Sequence, residues 1–324
     1  MTSRVVMPPQ TLPPLIDSFE NARAGFLPLH DGKRLRYAIF DPAVPAHDTI
    51  LITPGRREFI EKKYLELGPE FLQRGFRLIF VEWRGQGLSS RSFNGARSQR
   101  DHATDFTQHI DDLNYFYDTI VVPNCVGKLI VHGHSMGSHF ILRWLTERQN
   151  TVVAGVFMTA PMLALAGPLA HASANFLSWT SSKLGYGEDY APMQHDYSDE
   201  DRAFAGNPLT HDPDRFAIIE KYFSAYPDLA VGGVTWDWMQ AATRSMYLAE
   251  RRFKLERIAI PVLAIIGNED RVTPPDEVIR YLKMIPKAET ILIPGSRHDV
   301  MNEISPCRDE AWRQIDGFLK KIIS

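Results

Sequence analysis

The chain has 324 residues, of which 44% are apolar and 23% charged, and its formal net charge is −3 at pH 7. That balance fits a globular protein with enough chain for a large core, and it lacks the basic excess of a nucleic-acid or anionic-membrane binder. The two cysteines, Cys125 and Cys307, form neither a disulfide framework nor a zinc-binding spacing, so reduced thiols and a cytoplasmic setting are expected.

Pro8, Pro9, Pro13 and Pro14 break up the N-terminus, which reads as an irregular arm and not as a secretion signal. After it, residues 33–40 and 48–55 read as strands, 57–75 as a helix and 76–83 as a strand. Residues 101–121 carry apolar positions at helical spacing. A strand at 127–134, a helix at 136–149 and a strand at 151–160 follow. Residues 152–170 have the length of a membrane span, but Gly155, Pro161, Gly167 and Pro168 divide them into a buried strand, a break and a new element. Between 161 and 253 no clear strand appears, only aromatic-rich helical pieces. Strands resume at 259–270 and 289–299, with a helix at 275–285 between them and another at 307–323. Continuous apolar strands separated by helices imply a mostly parallel sheet covered on both faces. The chain thus reads as one α/β core, residues 1–160 and 254–324, interrupted by a helical cap at 161–253.

The chemistry concentrates in Gly133-His134-Ser135-Met136-Gly137, the one G-x-S-x-G of the chain. It stands where a strand ends and a helix begins, the setting of a nucleophile elbow. A serine hydroxyl needs a base to take its proton. His298, just after the last strand, suits that role. Asp270, at the end of the preceding strand, suits that of the carboxylate that orients it, with Glu269 as a rival. The oxyanion hole requires two backbone N–H donors. Met136, next to the nucleophile, and Arg56, in the loop after the strand ending at "ILIT", are expected to supply them. His132 reads as a packed strand histidine and His134 as the variable residue of the elbow. His139, one helical turn beyond Ser135, is placed to line a pocket. A metal site at His132 and His134 lacks a convincing third ligand.

These segments resemble the α/β-hydrolase superfamily, within it the lysophospholipase and monoacylglycerol-lipase group. Residues 81–91, "VEWRGQGLSSR", are similar to that group's D-x-R-G-x-G-x-S segment, with Glu82 and Trp83 departing from it. "GHSMGS" at 133–138 matches the elbow, "GNEDRV" at 267–272 the acid segment and "GSRHDV" at 295–300 the histidine segment. "NPLTHDPDRF" (207–216) and "VGGVTWDWMQAA" (231–242) resemble the cap of the bacterial lysophospholipase L2 branch, as does Pro54-Gly55-Arg56 in the oxyanion loop. The resemblance implies an α/β-hydrolase fold and an acyl-ester hydrolase that needs no metal or cofactor. It also implies a lid over the active site.

The cap's aromatic and sulfur residues, Met162, Phe176, Trp179, Trp236, Trp238 and Met239 among them, are expected mainly to pack the cap itself, with some lining an acyl slot. Arg56, Arg57 and Arg297 are expected near the mouth, where a phosphate head group would meet them. The substrate-contact candidates are therefore Arg57, His139, Trp236 and Trp238. A lysophospholipid ester is the expected substrate. A monoacylglycerol lipase, a general carboxylesterase, a transacylase and a non-catalytic lipid binder are the alternatives. Contact of the cap with the inner face of a membrane, and the oligomeric state, stay open.

Overall fold

The computed structural model describes residues 15–16, 22–148, 151–164, 168–198, 201, 203–251 and 254–323. Most of the N-terminal arm lies outside them. Eight strands form one sheet in the order β1-β2-β4-β3-β5-β6-β7-β8. β1 (Ala22–Pro28), β2 (Arg34–Phe40) and β4 (Phe76–Val81) pair antiparallel at one edge. From β4 onward the sheet is parallel, through β3 (Asp48–Thr53), β5 (Leu129–His134), β6 (Val153–Thr159), β7 (Val262–Gly267) and β8 (Ala288–Ile293). Every residue of β3, β5 and β7 is buried, as two-sided helical cover requires.

Helices α1 (Ile60–Gln73), α2 (Thr107–Phe116), α3 (Val122–Asn124), α4 (Met136–Glu147), α8 (Pro275–Leu282) and α9 (Ser305–Ile323) belong to the sheet layers. Three more, α5 (Pro168–Lys183), α6 (Pro213–Ala225) and α7 (Trp236–Arg251), lie in the long segment between β6 and β7. One apolar core, including Leu51, Ile79, Val131, Phe140 and Val156, fills one face of the sheet. A second, including Ile50, Phe71, Phe157 and Trp312, fills the other. Among the described residues no helix is long and apolar enough to cross a membrane. Both cysteines are free thiols.

β1 has no counterpart in the sequence reading. Of its seven residues, ARAGFLP, only Leu27 is buried, because an edge strand needs only one covered face. The helix expected over 101–121 begins six residues later, at Thr107. The residues before it pair instead with the segment ahead of α7: the Asp101 N–H donates to Gly233 O at 3.0 Å, and the Thr235 N–H to Asp101 O at 2.9 Å.

Arg36 is wholly buried in β2. Its Nη2 lies 2.6 Å from Glu61 Oε1, and its Nη1 lies 2.9 Å from Glu82 Oε1. Glu82 also accepts the Ile60 N–H at 3.0 Å and the Leu88 N–H at 2.7 Å. The glutamate that departs from the family segment thus joins β2, the start of α1 and the loop after β4. Two histidines are enclosed on the opposite face of the sheet. His109 stacks on Phe140 with ring centroids 4.7 Å apart, and the His139 Nε2 lies 2.7 Å from Ser245 Oγ. Burial, helped by nearby Arg143, brings both imidazoles down to about 3; for His109 the Arg84 charge adds to the effect.

Two expectations follow from these burials. Replacing Arg36 with Met strands two buried carboxylates and should lower unfolding stability by about 3–5 kcal/mol, read as a lower urea midpoint. His109 and His139 stay neutral when folded but take up protons near pH 6.5 when unfolded. Their contribution is therefore complete above pH 6.5 and is lost as pH falls toward 3. Together they should steepen the acid loss of stability by up to about 3 kcal/mol per pH unit. Urea titrations between pH 7 and 4.5 check this, and His109→Leu should roughly halve that component.

Candidate active site

β5 ends at His134 and α4 starts at Met136, so Ser135 stands alone in the turn. Its backbone has φ 47° and ψ −113°, a conformation that is costly for a residue carrying a Cβ. Two close approaches enforce it. A Cβ on Gly133 would fall 2.8 Å from Ser138 Cα, and one on Gly137 would fall 2.5 Å from the carbonyl oxygens of Thr53 and Pro54. With glycine at both positions α4 closes onto β5 and onto the loop after β3. The Ser135 N–H donates to Thr159 O at 3.0 Å and its carbonyl accepts the Met162 N–H at 3.1 Å, which hold the strained turn in place.

The loops after β7 and β8 bring two further side chains to this point. His298 Nε2 lies 3.0 Å from Ser135 Oγ, and its Nδ1 lies 2.8 Å from Asp270 Oδ2. An ionised carboxylate can only accept, so Nδ1 carries the proton and Nε2 is free to accept from the serine hydroxyl. Asp270 Oδ1 accepts the N–H groups of Val272 (2.8 Å) and Thr273 (2.9 Å), and Oδ2 accepts the Thr273 hydroxyl at 2.7 Å. Burial pushes the Asp270 carboxyl up, but the His298 hydrogen bond and charge, with Thr273, bring it below its ordinary value. All three residues are buried. Glu269, the rival acid, points elsewhere: its Oε2 lies 3.5 Å from His211 Nε2 and its side chain is half exposed.

The loop after β3 faces the same serine. Trp83 Nε1–H donates to Pro54 O at 2.7 Å, the Gly55 N–H to Glu58 Oε2 at 2.5 Å and the Arg57 N–H to Gln86 Oε1 at 2.6 Å. The Arg56 N–H, between two committed neighbours, has no acceptor among the described residues, and neither has that of Met136. The Arg56 guanidinium is turned toward the segment before α7, with Nη1 3.1 Å from Gly232 O and 3.6 Å from Asp101 Oδ2. Glu58, Trp83 and Gln86 are absent from the sequence reading as loop supports. The one trace of them was that Trp83 departs from the family segment.

His132 is a packed strand residue, its ring stacked on Phe157 and its Nδ1 3.3 Å from Phe157 O. His134 Nδ1 lies 2.9 Å from Thr159 Oγ1. Burial, with the charge of Lys63, lowers His134 to about 3, so it stays neutral. Glu58, His134 and Asp299 each bring one potential ligand atom within 4.8 Å of the others. The Lys62 ammonium already lies 2.5 Å from Glu58 and 2.7 Å from Asp299, so the place a metal cation would take holds a lysine.

A cavity of about 600 Å³ opens above Ser135 and His298. Met162, Phe216, Trp238, Met239, Ala242 and Met246 give it an apolar lining. Arg57, Tyr197, Asp201 and Glu220 line it as well. Arg57 Nη1 lies 3.1 Å from Asp201 Oδ1, and its guanidinium sits 5.1 Å from the Tyr197 ring centre. Burial pushes Glu220 up to about 7 against the charge of Arg57. Of the four expected substrate contacts, Arg57 and Trp238 reach the cavity, whereas His139 and Trp236 do not line it. His139 is turned into the packing between α4 and α7, where Ser245 engages it. Trp236, at the first turn of α7, packs against the core. Arg297 is also displaced from the expected mouth. Its Nη1 donates to the carbonyls of Asn207 (2.9 Å) and Thr210 (3.0 Å) and ties down the segment before α6.

The chain is similar to known proteins. Lysophospholipase L2 of Escherichia coli strain K12 is 27% identical over 288 residues, covering 85% of this chain and 81% of that protein. The probable lysophospholipase L2 of Haemophilus influenzae is 21% identical over 307 residues, 94% of each chain. Among solved structures, a soluble variant of monoglyceride lipase from Saccharomyces cerevisiae, in complex with a substrate analog, matches with a TM-score of 0.71 and 17% identity, over 94% of this chain and 98% of its own. A thermostable carboxyl esterase from Bacillus coagulans, in complex with glycerol, matches with a TM-score of 0.73 and 17% identity, over 94% and 100%. Since residues 45–305 match the model of the Hydrolase_4 family, described as serine aminopeptidase, S33, the chain belongs to that family and is a hydrolase with the α/β-hydrolase fold.

Proposed function

We propose that the protein hydrolyses the acyl ester of a lysophospholipid through an acyl-enzyme on Ser135. The observation that carries this reading is the hydrogen-bonded line from Asp270 through His298 to Ser135 on the floor of a largely apolar cavity. The protein is a carboxylic ester hydrolase. A lining of Met, Trp and Phe side chains suits an acyl chain better than a peptide. The lysophospholipase L2 relatives support a lysolipid as the source of that chain.

In this mechanism His298 Nε2 takes the Ser135 proton as Oγ attacks the ester carbonyl carbon. The carbonyl oxygen becomes an oxyanion and accepts the uncommitted N–H groups of Arg56 and Met136. Asp270 holds the resulting imidazolium, which passes its proton to the departing glycerol oxygen as the tetrahedral intermediate collapses. Water then loses a proton to His298 and attacks the acyl-enzyme. The second tetrahedral intermediate releases the fatty acid and restores the serine.

In the same reading residues 161–253 act as a cap. Trp238, Met239, Ala242 and Met246, one face of α7, hold the acyl chain, and Arg57 meets the phosphate through donors not taken by Asp201. α5 exposes Phe176, Leu177 and Trp179, an apolar surface suited to contact with a lipid layer.

Ser135→Ala should reduce ester turnover by roughly 10⁴–10⁶-fold while the protein stays folded, and it should abolish labelling by a fluorophosphonate probe. Full turnover in that variant would refute the nucleophile. Lysophosphatidylcholine, monoacylglycerol and short p-nitrophenyl esters, assayed with and without glycerol as acceptor, separate lysophospholipase, lipase, esterase and transacylase activities. Arg57→Gln should raise KM for lysophosphatidylcholine by about tenfold and leave monoacylglycerol nearly unaffected, given what charge-assisted hydrogen bonds to phosphate contribute. An equal change for both substrates removes Arg57 from head-group recognition.

A further inference from the structure

Five charged side chains lie buried beside the triad without belonging to it: Glu58, Lys62, Lys63, Glu66 and Asp299, none more than 5% exposed. Lys62 Nζ is 2.5 Å from Glu58 Oε1, 2.5 Å from Glu66 Oε1 and 2.7 Å from Asp299 Oδ2. Two of these approaches, to Glu58 and Asp299, are hydrogen bonds, while Glu66 pairs with the ammonium through charge alone. Among the described residues Lys63 Nζ reaches Glu58 (2.9 Å) and Glu66 (2.8 Å) but not Asp299. The far oxygen of Glu58 accepts the Gly55 N–H, one residue from the free Arg56 N–H. Asp299 directly follows His298, and its own N–H donates to Leu209 O at 2.8 Å.

Burying so many charges is expensive, and hydrophobic side chains of the same volume would often serve stability as well. The cost calls for a role that packing alone would not fill. Of the two lysines, Lys62 alone joins the oxyanion loop to the loop of the proposed base. We propose that Lys62 is a positioning residue for catalysis: its ammonium, bonded at once to Glu58 and Asp299, locks the loop of Arg56 and the loop of His298 into one relative placement. The oxyanion donor and the base must converge on one carbonyl group, and an error near 1 Å in such placement costs about 100-fold in rate. A link across the interior sets this distance without touching substrate. The inference rests on the catalytic reading given above.

The test measures p-nitrophenyl butyrate hydrolysis per active site, with competent sites counted by fluorophosphonate titration and folding followed by thermal unfolding. Lys62→Met should lower kcat by about 10–100-fold with KM within about threefold, and binding of a trifluoromethyl ketone should weaken in parallel with kcat. Lys63→Met removes a buried charge yet leaves the link between the loops. It should lower Tm while kcat per site changes less than about threefold. Asp299→Asn cuts the other arm of the link, so it should lower kcat per site about tenfold and stands in if Lys62→Met does not fold. A purely structural role would reduce the number of titratable sites and leave kcat per site unchanged. That outcome in Lys62→Met or Asp299→Asn, or equal kcat losses in Lys62→Met and Lys63→Met, overturns the proposal. Ser135→Ala keeps the two ideas apart: if it retains turnover the catalytic reading fails, whereas Ser135-dependent turnover that ignores Lys62 and Asp299 removes only the positioning role.

Discussion

The bond from His298 Nδ1 to Asp270 is the interaction on which the rest of the site depends. It decides which imidazole nitrogen carries the proton and aims the other at Ser135. It works only because Asp270 is anionic inside the protein, and that in turn requires several donors around a buried carboxylate. The Val272 and Thr273 N–H groups and the Thr273 hydroxyl supply them. The loop after β7 is therefore shaped around one carboxylate. A parallel sheet brings this loop, the elbow after β5 and the loop after β8 to a single edge, since all three strands end on the same side.

The loop after β3, the proposed oxyanion loop, is preorganised by hydrogen bonding. It has a glycine and two successive arginines, and its native shape is set by partners from elsewhere. Trp83 fixes the Pro54 carbonyl, Gln86 takes the Arg57 N–H and Glu58 takes the Gly55 N–H. What remains is one N–H, that of Arg56, directed by elimination. Donors already in place need no reorganisation when charge develops on a substrate oxygen, which makes such an arrangement effective. Glu82 and Trp83, the residues that depart from the family segment, now have physical roles: one ties Arg36 to the start of α1, the other holds this loop.

The described segment between β6 and β7 is anchored by apolar packing of α7, with Trp238, Ala241, Ala242 and Met246 in the core beside Phe106 and Phe140, and by polar contacts. Arg297 and Asp299 hold the Asn207–Thr210 turn, Arg56 holds Gly232, and Asp101 pairs with the strand-like segment before α7. α6 contributes an apolar contact, with Phe59 packed between Tyr222 and Phe223. Two of these polar contacts, from Arg297 and Asp299, begin one residue on either side of His298. Arg56 faces the serine with its backbone and reaches Gly232, before α7, with its side chain.

Ser135, Asp270 and His298 were legible in the sequence because each follows an apolar run that can only be a buried strand, in an order that parallel topology brings to one edge. The elbow glycines were legible because no other residue tolerates such approach. The mostly parallel sheet followed from uninterrupted runs such as β5 and β7. Other features were beyond the sequence. β1 carries only a short stretch of glycine, proline and apolar residues with one buried side chain, and pairing more than burial makes it a strand. His139 and Trp236 stand at plausible spacings, but side-chain direction, set by the packing of α7 on α4, turns them away from the cavity. Glu58, just before α1, and Glu61, Lys62, Lys63 and Glu66 within it are buried, although a run of charged residues gives no sign of it in the sequence. Their partners, Arg36 and Asp299, come from distant strands and loops. Helical periodicity reports only neighbours within a few residues, whereas the burial of a charge is decided by whether an opposite charge arrives from far along the chain.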